Sequence, residues 1–283
     1  MKIGIVGQGY VGTAVKTVFE KHYECNTFDI KQECNCDTLQ ELVTKSEVIF
    51  VCVPTPMNKD RSCNTDIVED VISDINDSVQ IDRLNHNPKT DKIVVIKSTV
   101  PPGTTDRLNK ENDNITVIFN PEFLTERTAF EDFHNQDHII LGKSSDSELF
   151  NSLVLFYKDL YPNARASICS SDESEAVKIF RNCFYAQKVM IFNEFYFLCN
   201  KLGMDYNRVR DLMLCDWLGE MHTMVPGPDG GIGYSGHCFP KDTEALLLQM
   251  KKNNSLIEDI KKNPSRYVNF SIIGGGKPYV EPK

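Results

Sequence analysis

The sequence predicts an α/β protein in which a doubly wound parallel sheet is followed by a mostly helical domain. Over the first 170 residues, short apolar segments rich in Val and Ile alternate with helix-compatible segments, a pattern typical of buried parallel strands covered by helices on both faces. A glycine-rich turn follows the first apolar segment. Beyond residue 170, a long stretch without Pro or Gly predicts one helix of about 30 residues. We therefore predict a sheet domain over residues 1–170, a helical central domain over 171–252 and a polar tail over 253–283.

Individual elements follow from local patterns. The segments predicted as buried strands are residues 2–6, 26–30, 47–53, 92–97, 115–119 and 139–141. The long helix is expected to begin at Ser171 or Asp172 and to end near Leu202, before Gly203. Its apolar side chains spread widely around the helix, so we expect it to pack against other helices or a second subunit. Shorter helices are predicted over 205–214 and 240–252, with a Gly- and Pro-rich loop at 224–236 between them.

Composition and charge exclude some classes of function and partner. The chain has 283 residues, 41% of them apolar and 25% charged, as in ordinary folded domains. Its 31 Lys and Arg against 40 Asp and Glu give a net charge of −9, which disfavours nucleic acid and anionic membranes as partners but allows one basic pocket. No segment has the length of a transmembrane helix or the pattern of a secretory signal, so we expect a cytoplasmic protein.

The ten cysteines are expected to be free thiols, because a chain of this length in a reducing compartment does not need disulfides. The group His22, Cys25, Cys34 and Cys36 matches no common zinc spacing, so we predict no metal.

Residues 7–12, Gly-Gln-Gly-Tyr-Val-Gly, place three glycines between the first strand and the first helix. This spacing allows a tight turn at Gly7, close approach of a pyrophosphate at Gly9 and close helix packing at Gly12. Asp29 follows at the end of the second strand, where a carboxylate accepts the ribose hydroxyls of NAD. The agreement of strand, helix, spacing and acid predicts a Rossmann-type NAD site, against the alternative of a glycine-rich turn in another α/β protein.

Cys238 has the sequence environment of a nucleophile. It precedes Pro240, which suits the first turn of a helix, and lies close to Lys241. A helix N-terminus and a nearby cation both favour the thiolate. The alternative, a half-buried structural thiol, suits Cys52, Cys183 and Cys199 better.

Polar residues follow several predicted strands at the sheet edge where ligands bind in open α/β folds. They are Thr55, Ser98, Thr99, Glu122 and Glu126. Either glutamate could act as a general base, or both could be exposed loop carboxylates. Lys178 and Asn182 lie four residues apart on the long helix and could stabilise an oxyanion, or could form part of a solvated stripe.

Together, six segments resemble the UDP-glucose/GDP-mannose dehydrogenase family. They are GQGYVG at 7–12, FVCVPTP at 50–56, KSTVPPGTT at 97–105, NPEFLTE at 120–126, the helix at 175–194 and GYSGHCFPKD at 233–242. The resemblance implies two successive NAD-dependent oxidations of a sugar primary alcohol to a carboxylate, on a nucleotide sugar with UDP-glucose foremost. It also implies a homodimer built on the long helix.

The resemblance assigns roles by position. Cys238 would attack the intermediate aldehyde, Glu126 would direct the hydrolytic water, and Thr99 and Glu122 would lie near the reacting carbon. Lys178 and Asn182 would stabilise oxyanions, and Asp242 would be a partner for charge or water. The residues predicted to bind NAD are Gly7, Gly9, Tyr10, Val11, Gly12, Asp29, Thr55, Ser98, Thr99, Glu126 and Lys241.

The chain also departs from the family pattern. Family members usually continue for another 100 residues or more into a second Rossmann-like domain that helps hold the nucleotide of the substrate, and we do not expect this domain within residues 1–283. Ser235 stands in place of a glycine, and His138 in place of an arginine. Two alternatives therefore stay open: a single-step dehydrogenase of a smaller hydroxy substrate, and a non-catalytic NAD-binding protein.

Overall fold

The computed structural model describes residues 1–85, 92–143, 148–214, 218–236 and 238–252. The predicted tail at 253–283 lies outside these residues. The strands are β1 (Lys2–Val6), β2 (Glu24–Phe28), β3 (Val48–Val51), β4 (Lys92–Ile96), β5 (Ile115–Phe119), β6 (His138–Lys143) and β7 (Arg165–Ser170). The α-helices are α1 (Tyr10–Phe19), α2 (Leu39–Lys45), α3 (Asp66–Leu84), α4 (Thr104–Glu111), α5 (Ala129–His134), α6 (Glu148–Leu160), α7 (Ser171–Leu202), α8 (Tyr206–Met213) and α9 (Phe239–Lys252), and a 3-10 turn spans Glu126–Thr128.

In the described residues, the strands form one sheet in the order β2-β1-β3-β4-β5-β6-β7. All neighbouring pairs are parallel except β5 with β6, which pair antiparallel at Phe119 and Gly142. The predicted doubly wound parallel sheet is confirmed, with this one antiparallel pair as the exception. A parallel pair needs a crossover helix that returns along the sheet, whereas α5, between β5 and β6, has only six residues and packs mainly against α1.

The sheet is covered by helices on both faces, as predicted. Because successive side chains of a strand point to opposite faces, Phe50 and Val95 join one apolar cluster, while Ile49 and Val94 join the other. The first cluster contains side chains of α1, α5 and α6, and the second contains side chains of α2, α3 and α4. These two clusters form the core of the sheet domain.

Local differences from the predicted elements are small. The second strand runs two residues earlier than predicted, so that Asp29 is the first residue after β2. The sequence did not predict β7, whose half-exposed pattern lacks the apolar run of the central strands. The long helix α7 runs from Ser171 to Leu202 as predicted, and α9 begins one residue before Pro240.

Contacts divide the chain into two units, and the division falls within α7. The first unit comprises Met1–Pro56 and Asn64–Lys178, and the second comprises Met57–Cys63 and Ile179–Lys283. The second unit therefore includes a short loop that follows β3 in the sequence. Arg61 of this loop forms an ion pair of 3.2 Å with Glu244 of α9.

The second unit has its own apolar cluster, formed around Phe192, Cys199, Tyr206 and Val225. None of the helices in the described ranges combines the length and apolar character needed to span a bilayer.

Candidate active site

The glycine turn after β1 is tightly packed on one side and open on the other. Gly7 has a φ of +88°, and a Cβ atom there would lie 2.6 Å from the Cys52 carbonyl oxygen. A Cβ at Gly12 would lie 1.9 Å from the Gly7 carbonyl oxygen, so α1 can approach the turn only with glycine there. Gly9, the N-cap of α1, has no atom within 4 Å of a Cβ position. The turn thus exposes a helix N-terminus that a pyrophosphate could approach.

The Asp29 carboxylate is fixed beside this turn by backbone donors. It accepts hydrogen bonds from Gln8 N at 2.7 Å, Lys31 N at 2.7 Å and Gln32 N at 3.2 Å. Burial raises the pKa of Asp29, but these N–H donors lower it, and the net pKa lies below its usual value. An ionised carboxylate has about four acceptor positions, and three are used here, so Asp29 keeps one for a ribose hydroxyl.

A cleft of about 460 Å³ opens at the N-terminus of α1. Gly9 and Tyr10 line it on the side of the turn, and Arg127 and Phe130 line it on the other. The combination of glycine turn, fixed acid and open helix N-terminus fits a dinucleotide.

Polar side chains at the carboxyl ends of β3 and β4 are buried. Thr55, Ser98 and Thr99 are at most 9% exposed. The Ser98 hydroxyl donates to the Val53 carbonyl oxygen at 2.7 Å, which ties the two strand ends together. The predicted NAD contacts of Thr55, Ser98 and Thr99 stay predictions.

Glu122 and Lys178 form a buried ion pair within the first unit. The Lys178 ammonium donates to Glu122 Oε1 and to the Glu122 carbonyl oxygen, both at 2.7 Å. Glu122 is 5% exposed and Lys178 is 2% exposed, so neither the exposed-carboxylate nor the solvated-stripe interpretation holds for them. Burial raises the pKa of Glu122, but the charge and hydrogen bond of Lys178 lower it below the usual value. A carboxylate held ionised in this way is a poor general base and is suited to orienting Lys178.

Asn182 and Asp242 form a second buried polar group, within the second unit. Asn182 Nδ2 donates to Asp242 Oδ2 at 2.6 Å, and Lys241 lies 3.3 Å from Asp242 Oδ1. Asn182 is 8% exposed and Asp242 is 1% exposed. The Asp242 carboxylate therefore fixes the Asn182 amide, and both belong to the helices predicted to carry the chemistry.

Cys238 lies immediately before α9, as the sequence predicts. Its carbonyl oxygen accepts a hydrogen bond of 2.9 Å from Asp242 N, so the residue forms the helix N-terminus. Its side chain is half-buried. By contrast, Cys52 and Cys183 are buried, and burial raises the pKa of both thiols to about 12. Among these three cysteines, Cys238 has the position that suits a nucleophile.

The glycine-rich loop before Cys238 is held by two contacts that the sequence did not reveal. Gly233 N donates to Asn193 Oδ1 at 2.8 Å, and the Ser235 hydroxyl donates to Asp229 Oδ2 at 2.6 Å. Asn193 is a buried polar residue on an otherwise apolar part of α7. Such isolated polar residues are a usable sequence signal, since buried amides need a partner.

Other predicted site residues are only partly described. The side chain of Glu126 lies outside the described part of the chain. Lys178 is the last residue of the first unit, whereas Asn182 lies one turn later on α7, in the second unit. The predicted catalytic and cofactor-binding roles therefore stay predictions.

Two models of one family match most of the chain. Residues 30–162 match the NAD binding domain of the UDP-glucose/GDP-mannose dehydrogenase family, and residues 172–263 match its central domain. The chain belongs to the UDP-glucose/GDP-mannose dehydrogenase family. NAD is therefore the cofactor of the sheet domain, in agreement with the glycine turn and Asp29.

Individual relatives agree with this assignment. UDP-glucose 6-dehydrogenase YwqF of Bacillus subtilis is 33% identical over 215 residues, which are 72% of this chain and 44% of that protein. UDP-glucose 6-dehydrogenase of Rhizobium meliloti is 34% identical over 221 residues, 75% of this chain and 47% of that protein. The structure of a UDP-glucose dehydrogenase from Pyrobaculum islandicum superposes with a TM-score of 0.75 at 26% identity, covering 89% of this chain and 64% of that one. The chain thus spans about half the length of the curated relatives it matches.

Proposed function

We propose that the chain is an NAD-dependent nucleotide-sugar 6-dehydrogenase, with UDP-glucose as the foremost substrate. The observation that carries this proposal is the buried ion pair of Lys178 and Glu122 at the carboxyl edge of the sheet. Burying two charges costs free energy that hydrophobic side chains of the same volume would avoid. A cation held at the edge where ligands bind is, however, what an oxidation through an alkoxide needs.

In the proposed mechanism, the chain's own residues handle the substrate oxygen and the carbonyl carbon. Bound NAD supplies the hydride acceptor for each oxidation. Lys178 has three N–H donors, and Glu122 accepts two of them, which leaves one for an oxyanion. Asn182, whose amide is fixed by Asp242, is proposed as an amide donor to an oxyanion.

The second oxidation is assigned to Cys238. Its thiolate adds to the aldehyde carbon, and the thiohemiacetal formed loses a hydride to become a thioester. Water then cleaves the thioester and restores the thiol, a step in which we place Glu126 as the group that directs the water. Overall, the primary alcohol, two NAD⁺ and one water give the carboxylate, two NADH and three protons.

We also propose a homodimer built on α7, because five apolar side chains of this helix are exposed along one line. Positions 180, 184, 191, 198 and 202 all lie within about 40° of one another at 100° per residue. Phe180, Phe184 and Leu202 are 55%, 64% and 63% exposed. Localisation in the cytoplasm stays a prediction.

A substrate panel tests the activity. The purified chain is incubated with NAD and each of several UDP- and GDP-sugars, and NADH absorbance and product mass are recorded. We expect two NADH per sugar and a product 14 mass units heavier than the substrate, since CH₂OH becomes COOH. One NADH per sugar would select the single-step dehydrogenase, and tight NAD binding without turnover across the panel would select the non-catalytic protein.

A further inference from the structure

Lys97 is a buried lysine that the mechanism above does not use. It follows β4 directly and is 1% exposed. Its ammonium donates to Asn120 Oδ1 at 2.7 Å and lies 3.4 Å from the Asn120 carbonyl oxygen. In the described parts of the chain, no carboxylate lies within 4.0 Å of it. The ring of Phe133 lies 5.4 Å from the same ammonium. A buried cation held by an amide, a carbonyl oxygen and an aromatic ring, without a carboxylate, is costly, so packing alone does not account for it.

Lys97 and Lys178 make the same kind of contact with two residues of one segment, Asn120 and Glu122. Lys178 binds the side chain and the carbonyl oxygen of Glu122, and Lys97 binds the side chain and the carbonyl oxygen of Asn120. The segment Asn120-Pro121-Glu122 is therefore clamped by one lysine at each end. This segment carries the carboxylate that orients Lys178.

The Asn120 side chain has little freedom to move. Besides accepting from Lys97, its Oδ1 accepts a hydrogen bond of 2.7 Å from the Tyr157 hydroxyl. Its Nδ2 donates to the Ile140 carbonyl oxygen at 2.7 Å. Since its oxygen accepts two hydrogen bonds and its NH₂ group donates one, a change at Lys97 would be passed to the backbone of the clamped segment.

Charge couples the two lysines as well. Burial lowers the pKa of Lys97 to about 8, and the charge of Lys178 acts in the same direction, whereas Cys52 and Glu122 oppose the shift. In return, Lys97 adds to the charges that lower the pKa of Glu122. With both lysines protonated, the group of Lys97, Glu122 and Lys178 has a net charge of +1, whereas without Lys97 the remaining pair is neutral.

We propose that Lys97 is a positioning residue for Lys178. It acts through Asn120 and Glu122, fixing the clamped segment and keeping Glu122 ionised, so that Lys178 stays oriented and the group keeps a net positive charge toward an oxyanion. The expected effect on kcat rests on the proposed function. The effect of Lys97 on the ionisation of Glu122 can be tested whether or not the chain turns over a sugar.

The kinetic test compares Lys97→Met with Lys97→Arg and with the control Lys92→Met. Lys92 is a second buried lysine, at the opposite end of β4, whose ammonium donates to the Ser46 carbonyl oxygen. We expect Lys97→Met to lower kcat between about 10- and 100-fold with little change in KM, as for a small displacement of a catalytic group. We also expect kcat of the wild type to fall above pH 8, and this fall to disappear in Lys97→Met. Lys97→Arg should recover part of kcat, and Lys92→Met should keep the wild-type pH profile even if it lowers Tm.

The inference would be overturned if Lys97→Met kept the kcat and the pH profile of the wild type. It would also be overturned if Lys97→Met lowered kcat only as much as Lys92→Met does and left the pH profile unchanged. If Lys97→Met does not fold, Tyr157→Phe removes one donor to Asn120 and should lower kcat in the same direction; an unchanged kcat there would overturn the inference.

A second measurement separates this inference from the proposed function. The Glu122 carboxyl carbon is followed by ¹³C NMR across pH in the full chain, with the signal assigned by its absence in Glu122→Gln. We expect the pKa of Glu122 to rise in Lys97→Met and to stay unchanged in Lys92→Met, whether or not the chain turns over a sugar. An unchanged pKa of Glu122 in Lys97→Met would overturn the inference even for an active enzyme.

Discussion

Cys238 is the residue on which the proposed second oxidation depends, because the thiohemiacetal needs a sulfur nucleophile. We expect Cys238→Ala to abolish the acid product and to leave NAD binding unchanged, because the substitution does not alter the glycine turn or Asp29. Cys169→Ala, which removes another partly exposed thiol, is the matched control and should keep wild-type turnover. Product mass and NADH yield measure the outcome. Formation of the acid by Cys238→Ala at the wild-type rate would contradict the covalent mechanism.

The buried ion pair of Glu122 leads to a prediction about the free energy of unfolding. Removing one partner of a buried ion pair leaves an uncompensated charge and costs about 3–5 kcal/mol. We therefore expect Glu122→Gln to lower the free energy of unfolding by about 3 kcal/mol, as measured by urea denaturation at pH 7. Glu20→Gln is the control, since Glu20 pairs with Lys16 at 3.2 Å on the surface of α1 and its loss should cost less than about 1 kcal/mol. Equal effects of the two substitutions would show that the Glu122 pair is not desolvated.

At the scale of elements, Glu175 connects α7 to the N-terminus of α4. Its carboxylate accepts hydrogen bonds from Gly103 N at 2.7 Å, Thr105 N at 2.8 Å and the Thr105 hydroxyl at 2.6 Å. Burial raises the pKa of Glu175 to about 7, although these three donors lower it. A carboxyl group whose pKa is higher in the folded state binds more protons there. Its contribution to stability therefore falls as pH rises from about 4.5 to about 7.

Glu175→Gln tests this pH dependence. Glutamine cannot titrate, so the stability lost by the wild type between pH 5 and pH 7 should be smaller in the variant. The variant should also be less stable than the wild type by about 1–3 kcal/mol at pH 8, because its NH₂ group faces backbone donors. Thermal unfolding at a series of pH values gives both quantities. Parallel curves for the two proteins would show that Glu175 does not titrate in this range.

Most elements could be predicted because their signals are local. The limits of α7 follow from a polar start and from Gly203, and the turn at Gly7 follows from glycine spacing. The antiparallel β6 and the half-exposed β7 could not be predicted, since strand direction and edge position depend on packing between distant segments.

The candidate site shows the same limit. Cys238 before α9 could be predicted from neighbouring residues, but the pairing of Glu122 with Lys178 joins positions 56 residues apart. The sequence motifs contain both residues without indicating their contact. Lys97 was also missed, because a lysine after an apolar strand gives no sign of whether it is exposed or buried.

At the scale of the whole molecule, the exposed apolar line on α7 is the feature that most constrains assembly. It extends from position 180 to position 202 of the helix, about 33 Å at 1.5 Å per residue. A row of exposed apolar side chains of this length is typical of an interface between proteins. A second copy of the chain can cover it with an identical line, because a twofold axis brings the same surface of both subunits together.

We therefore expect the wild type to sediment as a dimer and Phe184→Glu to sediment as a monomer. Phe184 is 64% exposed, the most exposed side chain of the line, so dimerisation over this line would bury a carboxylate placed there. Ile67→Glu is the control, because Ile67 is 41% exposed on α3, outside this line. Since Phe184 is exposed in the single chain, its replacement should leave Tm of the monomer little changed. Sedimentation velocity over a range of protein concentrations measures the result, and a wild-type monomer at every concentration would contradict the proposed dimer.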